Sequence, residues 1–128
     1  MRSAHRGFCC RRLALAVAAL ICFSLTSVRA ADFDQGWAAY QRGDFAKALE
    51  VWVPLADAGN PLAQYNLGVM HDHGHGVDLD PAKARDWWHK SAKQGFTKAQ
   101  HNLALAFIAR GGSDEDYREA LAWLEADL

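Results

Sequence analysis

Residues Leu67–Gly95 read LGVMHDHGHGVDLDPAKARDWWHKSAKQG. A helical run ends at Gly74 and Gly76, Val77 follows, and Asp80 with Pro81 opens a second helical run that stops at Gly95. Glycine just past one helix, then an aspartate cap and a proline at the start of the next, is the punctuation of a helix-turn-helix unit. The chain repeats this unit. A shift of 36 positions aligns Asp44 with Asp80 and Asp116, Ala48 with Ala84 and Ala120, and Trp52 with Trp88. It also pairs Ala56 with Ala92, Gly59 with Gly95, Ala63 with Ala99, Gln64 with Gln100, Asn66 with Asn102, Leu67 with Leu103, and Trp87 with Trp123. A period of roughly 20 to 50 residues marks stacked supersecondary units, none of which buries its apolar face alone. The expected fold is all-α, a solenoid of about three helix-turn-helix repeats with units near 33–59, 60–95 and 96–128.

Leu67, Gly68, Gly74, Gly76, Val77, Asp80, Lys83, Ala84, Trp87, Lys90, Ala92 and Gly95 sit at the spacing of the Sel-one-like repeat, which the chain resembles from Phe33 onward. That family is a relative of the tetratricopeptide repeat with a slightly longer unit. The resemblance implies a right-handed α-solenoid in which the first helix of each pair lines a concave groove. The middle copy matches at nearly every defining position. In the third, Arg110, Gly111 and Gly112 stand where a Gly-x-Gly turn is expected, and Ala104 replaces the first glycine. The first copy resembles the degenerate leading repeat of the family.

Residues 1–30 read as an address and not as fold. Met1–Arg12 carries Arg2, Arg6, Arg11 and Arg12 without an acid, Leu13–Leu25 is apolar, and Val28 and Ala30 place small residues before a cut after Ala30. This is the pattern of a secretory signal peptide. The apolar run of 13 residues is short of the ~20 that span a bilayer, so no stable membrane insertion is expected after cleavage. Ile21 is bulky where a lipoprotein site at Cys22 needs a small residue, and Arg11–Arg12 lacks the usual neighbours of a twin-arginine signal. The expected location is a bacterial periplasm, with a eukaryotic address left open by family members of the endoplasmic reticulum.

Cleavage changes the charge. All 15 acids lie after residue 30 but 5 of the 14 basic residues do not, so the remainder carries 9 − 15 = −6. An acidic module without a basic stripe is poorly suited to nucleic acid, which is bound by charge neutralisation. Cys9, Cys10 and Cys22 all fall in the leader, so residues 31–128 have no disulfide and rely on helix packing.

Six potential metal ligands crowd one turn: His71, Asp72, His73, His75, Asp78 and Asp80. His71 and His75 have the four-residue spacing of two ligands on one helix face, which makes His71, His73 and His75 the candidates for a metal-binding module. Against this, Gly74 ends the helix before His75 joins that face, His71 stands where the family has a core tyrosine, and Asp80 is explained as a cap. No cofactor is expected. Ser91 and Ser113 are the only serines after the leader, neither lies in a strand-to-helix elbow, and no phosphate loop is present, so a catalytic role is not expected. Cysteine-rich members of the family have been linked to penicillin binding and weak β-lactamase activity, which leaves a cell-wall-directed binder or hydrolase as an alternative. Those members staple each repeat with a disulfide, and this chain does not.

Trp52, Trp87, Trp88 and Trp123 fall in register with the repeat as core or near-core anchors, while Trp37 is free of that pattern. Opposite the Ala63, Leu67, His71 stripe, Tyr65, Val69 and Asp72 share a face, and the repeat adds His101, Leu105 and Ile108. These six are the expected partner-binding residues, suited to a protein or peptide. The last helix carries Leu121, Trp123, Leu124 and Leu128, an apolar end expected to self-associate or dock. The sequence thus reads as a non-catalytic exported adaptor or scaffold.

Overall fold

A computed structural model of the chain describes residues 32–126, and the leader expected at 1–30 and Leu128 lie outside them. Among the described residues there are six helices and no strand: α1 (32–41), α2 (Phe45–Asp57), α3 (Pro61–His73), α4 (Pro81–Ala92), α5 (Thr97–Arg110) and α6 (Asp114–Ala126). Each helix packs on the next, giving the stacked pairs of an α-solenoid.

The caps fix where helices begin. Asp44 accepts from the Lys47 amide at 3.2 Å, Asn60 from the amides of Leu62 and Ala63 at 3.0 Å, and Asp80 from the Lys83 amide at 3.0 Å. Each satisfies amides that the first turn leaves without a partner. Phe96, with no side-chain oxygen, makes no such bond before α5. Asp116 departs from the pattern set by Asp44 and Asp80. It lies inside α6, where its carboxylate accepts from the amide and hydroxyl of Ser113 at 2.8 Å and its own amide donates to Ser113 Oγ at 3.2 Å. This reciprocal box starts the helix earlier than the register of Asp80 would. The Ser113 amide and hydroxyl hold the Asp116 carboxyl below the usual range. At the other end of α3, Gly74 adopts φ 70°, ψ 33° and returns its amide to Met70 O, a left-handed stop that side chains with a Cβ disfavour.

Two buried clusters follow one another along the stack. The first joins α1, α2 and α3 through Ala39, Ala48, Trp52, Leu55, Ala56, Ala63, Leu67 and Met70. The second joins α4, α5 and α6 through Ala84, Trp88, Ala92, Ala99, Leu103, Ala104, Ala106, Phe107 and Ala120. Small alanines let the helices approach, and one indole fills the space at each level. Trp52 donates from Nε1 to Phe33 O at 3.3 Å and Trp88 to Tyr65 O at 3.2 Å, so each buried ring also satisfies its polar atom. Burial of such a ring removes an area worth about 4–6 kcal/mol before its ordering entropy is set against it. Trp87 stands at the edge of the core. It is half-buried against the first cluster, with the Lys90 ammonium 4.3 Å above its ring.

Candidate partner-binding groove

The first helices of the pairs, α1, α3 and α5, present one lined surface. Phe33 and Trp37 of α1, with Tyr40, face Leu62, Tyr65, Asn66 and Val69 of α3 across a hollow of about 400 Å³, which Lys98 of α5 also borders. A second hollow of about 300 Å³ adjoins it, sharing Tyr65 and Lys98 and adding His101, Asn102 and Trp123. A third of about 290 Å³ holds Asp72, His73, Asn102 and Leu105. The three make a trough across the helices.

Five of the six residues expected from the sequence border this trough: Tyr65, Val69, Asp72, His101 and Leu105. Tyr65 is half-buried, its ring 5.3 Å from that of Phe96, and Val69 also packs on the second cluster. Leu105 is 52 % exposed, and Ile108, 65 % exposed, stands further along α5. Sequence reasoning missed Phe33, Trp37, Tyr40, Leu62, Asn66 and Lys98. Their signal was present: Leu62, Tyr65, Asn66 and Val69 follow the three-and-four spacing of one helix stripe, and Phe33, Trp37 and Tyr40 do the same on α1.

The histidines of the turn have separate partners. His73 Nδ1 lies 3.0 Å from Val69 O, while His75 Nδ1 lies 2.8 Å from the Tyr40 hydroxyl and its ring stacks on Phe45 at 4.7 Å. His71 is buried, its Nδ1 has no hydrogen-bond partner, and it edges a hollow of about 680 Å³ formed by the Gly74–Asp80 turn and Lys83. Burial lowers the His71 pKa and the Lys83 charge adds to this, opposed by the Asp78 carbonyl and the Asp80 carboxylate. Among the described residues, no group of three His, Cys, Asp or Glu side chains is placed to hold a metal. Both serines are engaged in the fold: Ser91, fully buried, donates to Pro61 O at 2.7 Å, and Ser113 caps α6.

A family model described as the Sel1 repeat matches residues 61–96 and 97–126, over half of the 128-residue chain. The chain belongs to the Sel1 repeat family. Proteins with Sel1 repeats bind protein partners, and the repeat is generally a non-catalytic interaction module. Over 45 residues the chain is 49 % identical to a protein named chitin synthase regulatory factor 3 from Schizosaccharomyces pombe, covering 35 % of this chain and 5 % of that protein. Over 73 residues it is 33 % identical to the ERAD-associated E3 ubiquitin-protein ligase component HRD3A of Arabidopsis thaliana, covering 54 % of this chain and 11 % of that one. The HRD3B component of the same plant matches at 33 % over 73 residues and 12 % of its length. The chain therefore spans only a small part of the curated relatives it matches. The pair α1 and α2 precedes the residues matched to the Sel1 repeat, yet Trp52 and Gly36 there meet as Trp88 and Gly68 do in the matched unit.

Proposed function

We propose that this chain is an exported, non-catalytic Sel1 repeat adaptor or scaffold that holds a protein partner in the trough across α1, α3 and α5. The observation that carries the reading is apolar and aromatic surface left open on the trough and its continuation along α5: Trp37 is 42 % exposed, Leu105 52 % and Ile108 65 %. Side chains of this size standing in water along a groove suit capture of a partner segment. Export to a bacterial periplasm is supported by the basic stretch and apolar run ahead of the fold. The test is crosslinking in the native host, followed by capture with Tyr65→Ala and Leu105→Asp. Loss of the captured chains with an unchanged circular dichroism spectrum is expected, and unchanged capture would overturn the groove assignment.

A second reading, self-association through α6, is supported by Leu121, which is 58 % exposed. Two 36-residue offsets back it corresponds to Leu49 of α2, which is half-buried beside the Gly76 turn of the next unit. Among the described residues, the surface that a turn covers on α2 is open at Leu121 of α6. Sedimentation should detect association that Leu121→Asp abolishes, and a strict monomer at high concentration refutes it.

A further inference from the structure

Two faces of α6 have different surroundings. Ala120 belongs to the second buried cluster, and Tyr117, Trp123 and Leu124 pack against it. On the other face Arg118, Leu121, Ala122 and Glu125 are all exposed, and their three-and-four spacing puts them on one stripe. That stripe is symmetric about the midpoint of Leu121 and Ala122. Arg118 lies three residues before Leu121, and Glu125 lies three after Ala122. Among the described residues neither Arg118 nor Glu125 makes an ion pair. Arg118 is the only basic residue of α6, against five acids, so two copies of this helix laid side by side repel unless each Arg118 faces an acid of the other.

We infer that two copies of the chain pair through α6, antiparallel about a two-fold axis at that midpoint. The inference rests on the self-association reading above and adds its geometry. In this arrangement Leu121 of each copy packs over the small Ala122 of the other, and each Arg118 faces Glu125 across the pair. A two-fold contact uses the same patch twice, so one stripe supplies both ion pairs. A parallel pairing would instead set Arg118 against Arg118 and Glu125 against Glu125, which is unfavourable. Because the stripe is complementary to itself when reversed, its occupant is a second copy of this chain and not an unrelated helix. A contact between two single helices is smaller than the roughly 1,200 Å² of a stable interface, so the association is weak and reversible.

Sedimentation of the protein purified from its host, over rising concentration, reads the association. Arg118→Glu and Glu125→Arg should each weaken it on the order of tenfold, because each change puts two like-charge contacts into the pair. Mixing the two variants in equal amounts should restore it, since the mixed pair again sets Glu against Arg at both ends. Recovery requires both variants to be folded, so it rules out unfolding as the cause of the single losses. If Leu121→Asp abolishes association while the charge reversals, alone and mixed, leave it unchanged, α6 is the interface and the antiparallel register is wrong. Losses that mixing does not repair mean that the stripe meets a different face of the second copy, and they too overturn the register. A strict monomer at every concentration, or association indifferent to Leu121→Asp, removes the self-association reading and the register together.

Discussion

Gly68 lies so close to the indole of Trp88 that a Cβ on it would come within 2.3 Å of Nε1, and Gly36 meets Trp52 in the same way at 2.4 Å. The indole must lie flat on bare helix backbone for its Nε1 to reach Tyr65 O. In the third unit the glycine position holds Ala104 and the tryptophan position holds Leu124, which packs on the cluster containing Ala104. A methyl gained on one helix is matched by a smaller side chain on the other. Gly68→Ala is therefore expected to cost about 1–3 kcal/mol in urea unfolding. In a Trp88→Leu background the same change should cost much less, and equal costs in the two backgrounds would show that the pair does not interact.

The amide staples between units give a second prediction. Gln64 is buried, and its bond to Ala56 O answers a carbonyl near the end of α2. It also accepts from Gln94 Nε2 at 2.8 Å, so one side chain links α2, α3 and the segment after α4. Gln64→Ala should lower stability by about 1–3 kcal/mol, because it removes both of these hydrogen bonds at once and leaves Ala56 O to the Gly59 amide alone. Lys47→Ala removes only the exposed Lys47–Glu50 pair at 2.9 Å and should change stability by less than about 0.5 kcal/mol. Equal effects in denaturant titrations would remove the staple from the account of stability.

His71 supplies the pH dependence. Its pKa in the folded chain lies below the ordinary value of 6.5, chiefly through burial and then through Lys83, so the unfolded chain takes up the proton first. Stability is then unaffected by this group well above pH 6.5 and declines as the pH falls through 6.5 toward the folded value. Asp116, also depressed, acts in a separate window, its contribution fading as the pH drops below its ordinary 3.8. Replacing His71 with Tyr, for which the neighbouring hollow has room, should flatten the upper window and leave the lower one in place. Denaturation midpoints of the two proteins that run parallel between pH 7 and pH 5 would contradict this, that range being chosen about the histidine value.

How much of this was legible follows from which forces are local. The caps at Asp44, Asn60 and Asp80 and the stop at Gly74 bond within a few residues of themselves, so sequence carried them directly. Trp52 and Trp88 were legible because the repeat gives both the same surroundings. Asp116 broke the register because Ser113, a residue outside the 36-residue pattern, competes for the cap. Trp87 shares that pattern with Trp123, but its surroundings are set by packing between units, which no helix spacing records. The trough was half-legible for the same reason: the stripe on α3 is local, whereas its closure by Phe33 and Trp37 of α1 depends on how one pair sits on the next.

The joint between the first and second units is the last feature that can be tested. The Gly74–Leu79 turn seats on α2, where a Cβ on Gly76 would come 2.6 Å from Phe45 Cβ, and the imidazole of His75 stacks on the Phe45 ring within 4° of parallel. The Tyr40 hydroxyl closes the contact from α1 at 2.8 Å. Because the first buried cluster ends at Met70 and the second begins at Ala84, this aromatic clamp ties α1 and α2 to the turn without touching α5 or α6. Phe45→Ala should therefore lower the opening free energy of α1 and α2 amides by about 2–3 kcal/mol in hydrogen exchange, with α5 amides changed far less. Tyr40→Phe keeps the ring and removes the hydroxyl, so a smaller loss of about 1 kcal/mol is expected in the same amides. Equal loss of protection in α5 would mean that the units unfold as one block and that the clamp contributes only to the whole.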